Sequence, residues 1–274
     1  MSNLQPFILL DYILSIVLLL PIKDNRGPYK SFPRMTLILI GLNVGVHLVM
    51  TYVLPALYGA QTTASIESKL MLYPALVTKG YAGWPAALAM ITSGFLHASW
   101  MHLLGNMFYL FFFGRKVEDV LGATRFGLLY MVCLFVSQVG SVISEVALLV
   151  TQGVIPNLGA SGAIMGIVGA YLFLYHDEKI RTLPLLFGVI PIPILPRFSA
   201  AVFILYTIFR DVLNGWLEQQ MQNLGYIYSF VNSFAHLGGL IAGLLGMYLF
   251  LPAAVLNYQY RSSEKRKERE LTAN

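Results

Sequence analysis

Charge is scarce in this 274-residue sequence: 13 acidic and 18 basic side chains make up 11% of the chain, against 57% hydrophobic residues and a mean hydropathy of +0.68. Soluble domains carry roughly a quarter charged residues, so the composition excludes a water-soluble globule and, for want of charge, a disordered chain as well. Cysteine is almost absent. Cys133 stands alone in an apolar run, which rules out an internal disulfide framework and leaves it a packing residue. There is no Gly-X-Y period and no short internal repeat. The N-terminus lacks the basic region and small-residue cleavage site of a signal peptide. The net charge of +5 could suggest nucleic acid in a soluble protein, but the basic residues fall in clusters between apolar runs, as on one face of a membrane. No nucleic-acid partner is expected.

What fills the sequence is long apolar runs. A helix needs about 20 apolar residues to cross about 30 Å of hydrocarbon, and runs at about 36–57, 98–114, 125–150, 160–176, 198–217 and 229–251 fit, bounded by Arg115-Lys116, Asp177-Glu178-Lys179, Arg261 and Pro/Gly breaks. The expected fold is therefore an all-α polytopic membrane protein with a six-helix core over residues 36–252. Residues 1–35 form a hydrophobic segment and basic linker, and residues 253–274 a charged tail. The run from Pro6 to Ile22 is short and contains Asp11, so an interfacial helix and an extra span both remain open. Placing Lys23, Arg26, Lys30 and Arg34 in the cytoplasm puts Arg115, Lys116, Arg125, Lys179, Arg181, Arg197 and the Arg261–Arg269 cluster there too. Only Lys69 and Lys79 are then external, with Arg210 inside a span. Residues 80–114 carry no formal charge, so a segment around Trp84–Leu96 is expected to sink into the outer leaflet, which irregular backbone tolerates only beside protein or a wet cavity.

Inside a bilayer the polar residues are the informative ones, because each costs a few kcal/mol unless it is partnered or faces water. The second span carries His102 and Asn106, four apart on one face, with His97 just before it. The fourth opens with Gly159-Ala160-Ser161-Gly162, which sets Ser161 at a helix N-terminus. The sixth carries His236. Gly162 and Gly166 on one helix, with Gly239, Gly243 and Gly246 on the other, form faces of small residues that permit close approach. His236 could then reach Ser161 and accept its proton, while His102, Asn106 and the Ser161 N–H could donate to an oxyanion. Each feature alone has a blander reading: a capping serine, a packing histidine, a packing asparagine. The order and shared depth of the set favour catalysis.

The motifs His97-(four residues)-His102-Leu103-Leu104-Gly105-Asn106, Gly159-Ala160-Ser161-Gly162 and Ala235-His236-Leu237-Gly238-Gly239-Leu240-Ile241-Ala242-Gly243 resemble those of the rhomboid intramembrane serine proteases. The likeness extends to Gly114-(three)-Glu118-(three)-Gly122 and to Pro21-Ile22-Lys23-Asp24, a segment common among bacterial members. It implies Ser161 as nucleophile, His236 as general base and then acid, His102 and Asn106 as oxyanion donors, and His97, Gly159, Gly162, Gly239 and Gly243 as supporting residues. It also implies no metal or other cofactor, transmembrane proteins as substrates, and a bilayer as the medium. The expected location is a bacterial plasma membrane, with the site opening to the extracytoplasmic side. Substrate would enter past Phe198–Trp216 and beneath Gln219–Tyr228. Two departures stand out: Trp84-Pro85 where many members carry Trp-Arg, and Met165 where many carry an aromatic that packs on the histidine. The chief rival is a catalytically silent rhomboid-like protein that binds membrane clients. A transporter is a third reading, weakened by the lack of inverted repeats. There is no His-Glu-x-x-His for a zinc protease and no two-span aspartate pair. Further expectations are an interhelical hydrogen bond for His47, a span-end position for His176, and a turn organised by Glu118-Asp119. Asn232 could orient the imidazole, though a plain packing role is the simpler reading. Arg210, Asp211 or Glu145 would line a water route or gate, or form charge pairs.

Overall fold

The computed structural model describes residues 17–24, 31–80, 84–148, 156–186, 190–223 and 233–249. Its long helices follow the apolar runs. Helix α1 spans Arg34–Tyr58, α5 spans Trp100–Leu121, α6 spans Ala123–Leu148, α7 spans Ser161–Tyr175, α8 spans Ala200–Asn223 and α9 spans Ser233–Leu249. Shorter helices α2 (Ala60–Leu70), α3 (Pro74–Thr78) and α4 (Trp84–Thr92) fill the connection between α1 and α5. Among the described residues, α1, Ala123–Ser144 and Ala200–Leu217 are long and apolar enough to cross a bilayer unaided. Pro85–Phe95 and Trp100–Leu121 qualify as a pair bent by 83° at the break. The break follows directly on the segment Trp84–Leu96, where the Leu96 N–H donates to Ser93 O at 3.2 Å.

The burial pattern runs opposite to that of a soluble protein. Leu37, Ile38, Leu42, Leu128, Phe135, Leu205 and Leu245 face outward, while Asn43, Ser93, Asn106, Ser137, Gln138 and Ser141 are buried. Outward apolar side chains on α1, α5, α6, α8 and α9 suit hydrocarbon, while α7 is enclosed by the others, and buried polar groups must then find each other. Gln138 Nε2 donates to Ser93 Oγ at 3.1 Å, and Asn157 Nδ2 donates to Gln138 Oε1 at 2.6 Å. The Gly159 N–H donates to Ser93 O at 2.9 Å. These three bonds tie the dipping segment, α6 and the approach to Ser161 into one unit.

The hydrophobic N-terminal segment corrects the helical expectation. Val17–Asp24 is strand β1, paired antiparallel with β2, Lys179–Leu186, in register Leu20 with Leu183; β3 (Ile190–Pro191) and β4 (Arg197–Ser199) both pair with β2. Pro21 opposes a helix by removing an N–H, and the ladder bulges between Pro21 and Lys23. The sheet is therefore an addition to a mostly helical molecule, and residues 6–16 lie outside the described set. Asp24 at the end of β1 fixes the strand: its carboxylate sits 2.8 Å from Lys116 Nζ, accepts from Tyr171 OH at 2.9 Å, and is almost fully buried with the lysine.

Glu118 and Asp119 do more than shape their turn. Glu118, 2% exposed, accepts from the N–H of Met35 and of Thr36 at 2.8 Å and from Thr36 Oγ1 at 2.7 Å, so a carboxylate on α5 caps the N-terminus of α1. Asp119 accepts from the N–H and Oγ of Ser31, both at 2.8 Å. Gly122, with φ +77°, then ends α5 in a conformation that side chains resist. Glu118→Ala strands three donors, the two on Thr36 buried, and is expected to cost about 2–4 kcal/mol. A loss under about 1 kcal/mol in reversible unfolding in detergent would refute this account of the cap.

Candidate active site

Helix α7 begins at Ser161 with no side-chain cap, so its first N–H groups are not consumed by the helix. At roughly 1.5 Å per residue, its 15 residues reach only about 23 Å, less than the hydrocarbon thickness. Irregular backbone at 156–160 leads into the helix. Ser161 is half-buried.

Glycine brings α9 against that helix. A Cβ at Gly239 would land on the Gly162 carbonyl oxygen, and one at Gly243 on that of Gly166; a Cβ at Gly162 would stand 3.5 Å from Ala235 O. These contacts run in step, so α7 and α9 lie parallel, backbone on backbone, as small-residue faces allow. In that register Ser161, one residue before Gly162, comes level with Ala235-His236. The nucleophile candidate and the imidazole thus share one depth on adjoining helices.

The imidazole is held from its far side. His236 Nδ1 lies 2.7 Å from Asp211 Oδ2 on α8, and the His236 Nε2 is buried without a hydrogen-bond partner, Ser161 Oγ included. The sequence offered Asn232 as an orienting or, more simply, a packing residue, and it lies outside the described residues; Asp211 stood as a gate or charge-pair residue. The available signal was an acid in an apolar helix opposite a histidine whose two nitrogens need two different neighbours.

His102 and Asn106 approach Gly159, two residues before Ser161, from α5. Gly159 has φ +115°, and a Cβ there would come 2.8 Å from His102 Cε1, 2.9 Å from His102 Nε2 and 3.8 Å from Asn106 Nδ2. Both side chains thus border the backbone two residues before Ser161. Asn106 Nδ2 is buried and unbonded, and His102 lies within electrostatic range of His236. Ser99 caps α5, its Oγ accepting from the His102 N–H at 3.2 Å. His97 is buried, its ring 5.1 Å edge-on from that of His102, with neither nitrogen hydrogen-bonded. Its ring thus packs against that of His102.

His47 lines a cavity with His97, and the remaining polar candidates stand elsewhere. His47 meets α5 through an edge contact with Trp100, ring centroids 4.7 Å apart, and its Nε2 has no partner. His176 pairs with its exposed neighbour Asp177 at 2.8 Å. Met165 is buried in the core. The side chains of Trp84 and Glu145, and residues 224–228 of the expected overlying connection, lie outside the described residues. Among the described residues no three His, Cys, Asp or Glu side chains form a metal-binding group.

The arrangement leaves one basic nitrogen, one amide donor and a helix N-terminus unspent around a hydroxyl. Comparison with known proteins agrees with the motifs. A family profile described as the Rhomboid domain matches residues 85–253. The chain is 26% identical over 246 residues to Rhomboid-like protein 11, chloroplastic, of Arabidopsis thaliana, covering 88% of this chain and 74% of that protein. It is 32% identical over 167 residues to Rhomboid protein 1, mitochondrial, of Saccharomyces cerevisiae, covering 60% of this chain and 42% of the relative. It is 38% identical over 93 residues to the Putative rhomboid protease YdcA of Bacillus subtilis, covering 33% and 44%. The chain thus spans less than half the length of the latter two. With the profile covering more than half of the sequence and apolar helices throughout, the chain belongs to the rhomboid family and is a polytopic helical membrane protein.

Proposed function

We propose that this chain is an intramembrane serine endopeptidase that cleaves transmembrane or membrane-adjacent segments of other proteins. The observation that carries the reading is the interlocked glycine face that sets Ser161 and His236 at one level while His236 Nε2 remains unbonded. Ser161 Oγ attacks the scissile carbonyl carbon and its proton passes to His236 Nε2. The tetrahedral oxyanion is met by Asn106 Nδ2, His102 and the Ser161 N–H, each donor contributing about 3 kcal/mol. The imidazolium then protonates the departing amine, and water deacylates the serine by the same route in reverse. In an apo site a loose hydroxyl–imidazole pair is usual and tightens when substrate docks. Residues 36–252 form the catalytic core. The basic clusters orient the chain so that the site opens to the extracytoplasmic side of the cell membrane.

A fluorophosphonate probe tests this directly. Wild type should be labelled and Ser161→Ala should not; labelling of both to the same extent would favour the silent client-binding reading. Gly159→Ala is a finer probe. Its Cβ is strained at that φ and displaces His102, so labelling should slow by about 10- to 100-fold. An unchanged labelling rate would remove His102 from the oxyanion site.

A further inference from the structure

We infer that Asp211 completes the site as a positioning residue, fixing the tautomer and orientation of His236, so that serine, imidazole and carboxylate form a three-membered set assembled from α7, α9 and α8. This rests on the proposed serine–imidazole chemistry and extends it to a third helix.

The geometry defines which nitrogen does what. An ionised carboxylate can only accept, so the 2.7 Å contact with Asp211 Oδ2 places the ring proton on His236 Nδ1. The lone pair is then on Nε2, the nitrogen left without a partner and the only one free to take a proton from Ser161. Without the carboxylate, the neutral ring would also populate the tautomer protonated on Nε2, which cannot act as a base. The acid contributes again once the proton has moved, because an imidazolium buried among apolar helices needs a neighbouring negative charge.

The contact is built rather than incidental. Asp211 is 8% exposed, and its own backbone carbonyl accepts from Ser233 Oγ, one turn before His236 on α9. One turn along α8, Gly215 makes room for that serine: a Cβ there would fall on the Ser233 side chain. Two bonds and one close approach therefore lock this joint of α8 and α9. They hold the carboxylate against His236, 25 residues away in sequence.

The test uses the full-length protein in detergent or proteoliposomes with a cleavable transmembrane substrate. Asp211→Asn should lower kcat by about 10²- to 10⁴-fold with KM within about twofold, and Asp211→Glu should recover part of the loss. Imidazole nitrogen NMR should show His236 protonated on Nδ1 in the wild type and a mixture, or the opposite tautomer, in Asp211→Asn. A wild-type signal protonated on Nε2 overturns the inference whether or not any variant folds. So does an Asp211→Asn enzyme that cleaves at the wild-type rate, and that result leaves Ser161 and His236 standing. A His236→Ala protein that cleaves normally would instead overturn the serine–imidazole reading itself, and the role of Asp211 with it.

Discussion

Ser161→Ala and His236→Ala should each slow cleavage of a transmembrane substrate by about 10⁵- to 10⁶-fold, and the double variant should be no slower than either alone. The two groups act as one unit: without the base the hydroxyl keeps its proton, and without the hydroxyl the base has nothing to activate. The variants should differ in stability, however. Ser161 is half-buried at a helix N-terminus, so its loss should change unfolding free energy by less than about 1 kcal/mol. Removing His236 leaves the Asp211 carboxylate nearly buried and without its imidazole, a loss of about 2–4 kcal/mol. Single-turnover cleavage and reversible unfolding measured on the same preparations separate the two effects. More than about one hundredth of wild-type cleavage by Ser161→Ala would show that another group performs the attack.

Much of this was readable from residues because lipid simplifies the code. Apolar runs of crossing length give α1 and α6 nearly to their observed ends and α8 to within six residues of its C-terminus, and the cost of buried polarity singles out His102, Asn106, Ser161 and His236 without any structure. The glycine pattern foretold the contact between α7 and α9, since only backbone contact explains glycines four apart on both helices. Strand β1 was hidden because its leucine run has no period that distinguishes strand from helix. The partner that decides the matter, Leu186 for Val17, lies far along the chain. The capping role of Glu118 was hidden likewise, since its donors at Met35 and Thr36 sit on another helix more than eighty residues away. Asp211 was visible as an anomaly but its role was not. Adjacent Arg210 and Asp211 diverge by about 100° on a helix, and sequence alone does not say which of them turns toward α9.

Gly243→Ala should be the most disruptive single methyl in the bundle, costing about 3 kcal/mol or more and at least 100-fold in cleavage. Its Cβ would meet the Gly166 carbonyl oxygen, a backbone atom fixed in the middle of α7 that no rotamer change can move. The helices must separate, and they lose their packing together with the register that holds Ser161 level with His236. The same methyl elsewhere should be harmless: Gly41 on α1 has nothing within 4 Å of a built Cβ, so Gly41→Ala should be neutral or gain up to about 1 kcal/mol in helix propensity. Chemical unfolding and cleavage measured on the pair then distinguish a steric contact from a general intolerance of glycine replacement. If Gly243→Ala behaved like Gly41→Ala, α7 and α9 would have to lie farther apart than their backbones do here, and the imidazole would lose the support that brings it to the serine.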